Sequence, residues 1–134
     1  MPVIISTPQP RKVKTIEVTI TLDRRANRLK ISPQDAVRLS LDEPQEIKWR
    51  SEAIEGGSVV ISFYTASGNR ASHDSPFNAH YLRCPPGGAC LSGLPLKNKA
   101  RKEPYKYTVR LVDQARKQIA VGEAAGEIFV ALSK

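Results

Sequence analysis

A chain of 134 residues with 40% hydrophobic and 25% charged side chains has the length of one domain and a globular composition, which excludes disorder as the default. Its 21 Lys+Arg against 13 Asp+Glu leave a net charge of +8, a balance that favours polyanions: nucleic acid, an anionic membrane face or an acidic protein. No run approaches the ~20 apolar residues of a membrane helix, and Val3-Ile4-Ile5 before Pro8 and Pro10 falls short of the ~7–15 apolar residues of a signal peptide.

The expectation from those limits is a soluble cytoplasmic chain with no membrane insertion, or a secreted one if a signal was removed and replaced by Met1. Ten prolines and eight glycines suit many turns and little helix. Residues 1–12 are basic and Pro-rich and read as a flexible leader before a single domain over 13–134. From Thr15 to Leu22, the apolar Ile16, Val18, Ile20 and Leu22 alternate with Thr15, Glu17, Thr19 and Thr21. That period of two predicts a half-buried strand. Leu29 and Ile31 around Lys30, then Val37, Leu39 and Leu41, then Ile47 and Trp49 around Lys48, repeat the pattern. Ser32-Pro33-Gln34-Asp35 and Asp42-Glu43-Pro44 supply turns between them.

After Glu55-Gly56-Gly57, the run from Val59 to Tyr64 reads as a central strand covered on both faces. A long irregular loop is expected from about 65 to 104, a length that is usually functional or mobile. Tyr105, Tyr107, Val109 and Leu111 alternating with Lys106, Thr108 and Arg110 predict the next strand. A short extended piece at Ile119 to Val121 and a last strand from Glu127 to Leu132 complete the chain. Between Val112 and Ala125 at most one helical turn fits, because Val121-Gly122 cuts it short. Short alternating strands separated by turns indicate an all-β sandwich.

Three segments carry a resemblance: Val37 to Trp49, then Val59 to Phe63 with Ser75-Pro76-Phe77, then Tyr105-Lys106-Tyr107-Thr108-Val109. Over roughly residues 28–133 the chain resembles small bacterial cupredoxin-like proteins. The resemblance implies a Greek-key antiparallel β-sandwich. It does not imply copper. A blue-copper site needs two His and a Cys, usually with an axial Met. In cupredoxins the Cys, one His and the Met come from the loop between the last two strands. The corresponding stretch, Asp113 to Glu127, has none of these residue types, and the one methionine is Met1.

His73, His80, Cys84 and Cys90 are all the imidazoles and thiols of the chain and form the alternative reading, a zinc or redox site. Cys-x5-Cys after two separated His fits no usual zinc spacing. The Pro85-Pro86-Gly87-Gly88-Ala89 spacer also lets Cys84 and Cys90 close a small disulfide loop in an oxidising compartment, whereas a cytoplasm would keep both thiols reduced. His73-Asp74-Ser75 holds triad residue types, but adjacent side chains diverge. Nucleophile-elbow and phosphate-loop patterns are missing, so no enzyme and no cofactor is expected.

Cations cluster in 11–30 (Arg11, Lys12, Lys14, Arg24, Arg25, Arg28, Lys30) and in 97–106. Lys97, Lys99, Arg101 and Lys102 are the candidate partner-binding residues. Beside Tyr105 and Tyr107 they can join phosphate attraction to base stacking, unless alternation turns both rings into the core. The leading expectation is a copper-free, non-enzymatic interaction module for a protein or another anionic partner. Zinc or redox chemistry and weak nucleic-acid binding through basic loops are the alternatives.

Overall fold

In the computed structural model, residues 13–52, 57–65, 75–85, 87–112 and 121–131 are described. The alternating segments become strands: β1 Lys14–Asp23, β2 Arg28–Ser32, β3 Val37–Ser40, β4 Gln45–Ser51, β5 Ser58–Thr65, β6 Tyr81–Cys84, β7 Ala89–Leu91, β8 Tyr105–Val112 and β9 Ala124–Ala131. Sheet one runs β2-β1-β4-β7 and sheet two β3-β9-β8-β5-β6. Their apolar phases face each other, with Val18, Ile20, Ile47 and Trp49 of sheet one buried against Ile61, Phe63, Val109, Ile128 and Val130 of sheet two. The chain is an all-β sandwich, as the pattern predicts.

Both sheets are mixed, where an antiparallel sandwich is expected. β1 pairs parallel with β4 and β3 parallel with β9, while the remaining strand pairs are antiparallel. The cause is the route of the chain. It leaves sheet one after β2, adds β3 to sheet two, and returns as β4 beside β1; a connection that crosses between sheets can deliver either direction, whereas a tight hairpin delivers only antiparallel.

Three further expectations are corrected. The stretch from 65 to 104 is not irregular throughout, because it holds β6, β7 and a 3-10 turn over Lys97–Lys99. β5 is flanked on both sides, by β8 and β6, as a central strand is, but it is not covered on both faces, since Val60 and Tyr64 on its outer face are only half-buried. The last strand begins at Ala124, ahead of Glu127, and pairs with β8 from Val109↔Ala124 onward. The leader over 1–12 lies outside the described residues, as do 113–120 of the helical alternative over 112–125 and 119–120 of the extended piece over 119–121; at the ends of the former, Val112 closes β8 and Ala124 opens β9.

Trp49 centres the core. Its ring centroid lies 5.8 Å from Phe63, 6.5 Å from Phe77 and 5.7 Å from Tyr107, the last two edge-on, geometries that add about 0.5–1.5 kcal/mol per pair beyond burial. Trp49 and Phe63 are fully buried. The Ser75-Pro76-Phe77 turn holds Phe77 in place through a hydrogen bond from the Phe77 amide to Ser75 Oγ (3.0 Å). Tyr107 lies opposite Gly126, and its ring fills the space a side chain there would take. Burial pushes the Tyr107 hydroxyl up to about 12. The Trp49 indole N–H pulls weakly the other way without meeting an acceptor at full hydrogen-bond geometry.

At one border of the sandwich, Cys84 of β6 and Cys90 of β7 form a disulfide with Cα atoms 5.1 Å apart. β6 is the edge of sheet two and β7 the edge of sheet one, so the bond staples the two sheets together. Cys90 stands opposite Trp49, on the same inner face.

Candidate functional site

Strand alternation leaves each sheet one outer face, and the two faces differ. On sheet one the outward residues include Glu17, Asp23, Glu46, Arg28, Lys30, Lys48 and Arg50, so acids and bases nearly balance. Lys30 Nζ lies 2.9 Å from Asp23 Oδ2 and Arg50 Nε 3.0 Å from Glu17 Oε1. The hydrogen bond from Lys30 holds the Asp23 carboxyl below its ordinary value, helped by the Ala26 amide. This face is polar and holds none of the chain's aromatic rings.

Sheet two carries a different set. The chain has eight aromatic side chains. Trp49, Phe63, Phe77, Tyr105 and Tyr107 are buried. The other three, Tyr64, Tyr81 and Phe129, all project from the outer face of sheet two. They fall in the opposite phase to Phe63, to Leu82, and to Ile128 and Val130. Tyr81 is 58% exposed; Tyr64 and Phe129 are half-buried.

On the strands of that face, among the described residues, four cations accompany one carboxylate, Glu127, with Glu123 just ahead of β9. Register sets them in rows across the strands: Tyr64–Lys106–Glu127, then Tyr81–Ser62–Thr108–Ala125, then Arg83–Val60–Arg110. Rows on one face are two residues apart, ~7 Å along the strand. Ser62 and Thr108 are small and buried under the longer side chains beside them, with Arg110 Nη2 donating to Ser62 Oγ (3.4 Å). At the β3 edge, Arg38 lies over the Phe129 ring, 4.4 Å from its centroid, a cation–π contact. Solvent therefore meets rings and cationic groups rather than backbone.

The four residues singled out from the basic loop divide in two. Lys97 and Lys102 are exposed. Lys99 and Arg101 serve the fold as well: Tyr105 Oη donates to the Lys99 carbonyl (2.6 Å), and the Arg101 amide donates to Val130 O (3.0 Å). The Arg101 guanidinium reaches Glu103 at 3.1 Å and lies 5.4 Å from the Tyr105 centroid. The loop thus meets the β9 end of sheet two, near Phe129. The rings expected to stack there are not available, since Tyr105 and Tyr107 are 2% and 1% exposed. Alternation turned them inward.

His80 is exposed ahead of β6, while His73 and Asp74 lie outside the described residues. Cys84 and Cys90 are bonded to each other, a form in which neither sulfur is a thiolate. Ser75 is buried in its turn. Among the described residues no three or more His, Cys, Asp and Glu converge as metal ligands, and no helix is long and apolar enough to cross a membrane. Besides an open depression of about 600 Å³ between Arg50–Glu52 and Gly87–Ala89, two others contain none of the three outward rings. One, of about 400 Å³, is lined by Arg28, Lys30, Gln34 and Ala125 among others; the second, of about 250 Å³, lies between Leu41–Gln45 and Leu94–Lys97.

Sequence reasoning missed Tyr64, Tyr81, Arg83, Arg110 and Phe129 as candidates. A usable signal was present for Arg110 alone, in the polar phase of the alternating strand Tyr105 to Leu111; the others lie in runs too apolar or too short to show a period of two. No protein-family model, curated protein or solved structure matches the chain.

Proposed function

We propose that this chain is a non-enzymatic interaction module, cupredoxin-like in type and without a copper site, that holds an anionic partner against the outer face of sheet two. One observation carries the reading: every aromatic ring outside the core shares a face whose strands, among the described residues, carry four cations and a single carboxylate. A broad sheet face suits an extended partner, whereas small molecules are held in concave sites. Lys97 and Lys102 extend the positive potential at the β9 end. The copper-free part rests on the composition of 113–127, which offers no Cys, His or Met. The Cys84–Cys90 bond favours an oxidising compartment over the cytoplasm.

Retention on heparin in a salt gradient tests the reading. Wild type should be retained at low salt and released as salt rises, because paired anions give up counterions. Arg83→Ser with Lys106→Ser should elute clearly earlier, and Lys97→Ser with Lys102→Ser by a smaller step. Failure of wild type to bind even at low salt would end the proposal. Stoichiometric zinc in native mass spectrometry, lost on changing His80, would overturn it in favour of the metal reading.

A further inference from the structure

We infer that the anionic partner is single-stranded nucleic acid, with Tyr81 and Tyr64 as stacking platforms; the inference rests on the sheet-two reading above and names its ligand. The geometry repeats one couple, a ring beside a cation. Tyr81 precedes Arg83 by two residues on β6, so both project from the same face. Tyr64 stands directly opposite Lys106. Phe129 stands opposite Arg38, whose guanidinium covers it. A nucleotide is the matching unit, since each contributes one planar base and one phosphate.

Other polyanions satisfy half of each couple. An acidic peptide brings carboxylates without a flat face beside each. A lipid surface brings phosphates without rings. A double helix keeps its base faces stacked inside, where a surface tyrosine cannot reach them, whereas single strands splay their bases onto aromatic side chains. Tyr81 and Tyr64 are diagonal neighbours on adjacent strands, about 7–8 Å apart, so two rings are offered side by side to consecutive bases. Stacking is indifferent to base identity, so binding without strong sequence preference is expected.

The test is fluorescence anisotropy of a labelled oligothymidylate over a salt series, with a duplex oligonucleotide and polyglutamate as competitors and heparin retention run in parallel. Wild type should bind the single strand more tightly than the duplex, with a log–log salt slope near −2 if about three phosphates are neutralised. Tyr81→Leu should weaken binding roughly 5- to 100-fold, the range that base–ring stacking spans, and leave the slope unchanged. Tyr81→Phe should restore the affinity. Arg83→Ser should instead flatten the slope by about 0.7. Emission of the buried Trp49 verifies the fold of each variant. Equal affinity for duplex and single strand, or a Tyr81→Leu protein that binds like wild type, overturns the inference while heparin retention keeps the broader proposal. Polyglutamate competing as well as the oligonucleotide, with no effect of Tyr81→Leu, identifies an acidic protein and overturns it too. Loss of heparin retention in wild type defeats both.

Discussion

Replacing Gly126 by alanine sets two opposing effects against each other. Gly126 does not adopt a positive φ, so its backbone accepts an L-residue, and Gly→Ala at such a site ordinarily stabilises by about 0.4–1 kcal/mol through the unfolded chain. Space argues the other way. A Cβ at 126 would stand 2.6 Å from Tyr107 Cε1 and closer still to Cζ and Oη. The ring is 1% exposed and sits edge-on to Trp49, itself packed on Phe63 and Phe77, so it cannot retreat without moving the core. Overpacking of this kind costs about 1–3 kcal/mol and outweighs the backbone gain. The expected net loss is about 1–2 kcal/mol, a visible share of the 5–15 kcal/mol typical of a domain. Urea unfolding followed by Trp49 emission should show the midpoint falling by roughly 0.5–1 M at unchanged slope. In a Tyr107→Leu background the same Gly126→Ala change should cost less, giving a measurable coupling. A midpoint that rises in the single variant refutes the packing argument.

Trp49→Ala should cost about 3–5 kcal/mol, because three aromatic partners lose their contact with a fully buried ring; native emission should be blue-shifted, and emission near that of free tryptophan would contradict the burial. Tyr107 is held protonated by burial, with its value raised from 10.0 to about 12. The folded state therefore keeps a proton that the unfolded state loses. That stability is intact below pH 10 and is lost as pH rises through about 12, about 2–3 kcal/mol in all. Tyr107→Phe should remove this alkaline dependence in urea melts between those limits. Cys90→Ser opens a short loop, with six residues of sequence separation, and should lower stability by about 2 kcal/mol on loop-closure grounds; equal denaturation midpoints for this variant and wild type under oxidising conditions would refute the staple.

Local periodicity determined much of this molecule. The alternation of Thr15 to Leu22 and of Tyr105 to Leu111 depends only on neighbours two residues apart, so both strands, their buried faces and the core positions of Trp49 and Phe63 were legible before any fold was known. The emptiness of 113–127 in copper ligands is likewise a matter of composition. β6 and β7 were not legible. They hold four and three residues in a Pro- and Gly-rich stretch, too short for a period to register, and they exist because β5 and β4 offer them edges to pair with. The parallel pairings escaped for a related reason: which sheet a strand joins is set by packing of the apolar faces, not by the residues that connect them. The candidate face was hidden most completely. Tyr64, Tyr81 and Phe129 lie on three strands and look in sequence like isolated rings, while Tyr105 and Tyr107, adjacent to the lysines, drew attention and turned inward. Parity decides which side of a sheet a ring takes, and the sequence shows parity within one strand. Only the strand order β3-β9-β8-β5-β6 and its registers bring the outward phases of separate strands onto one surface, because that juxtaposition is made by long-range hydrogen bonding and burial.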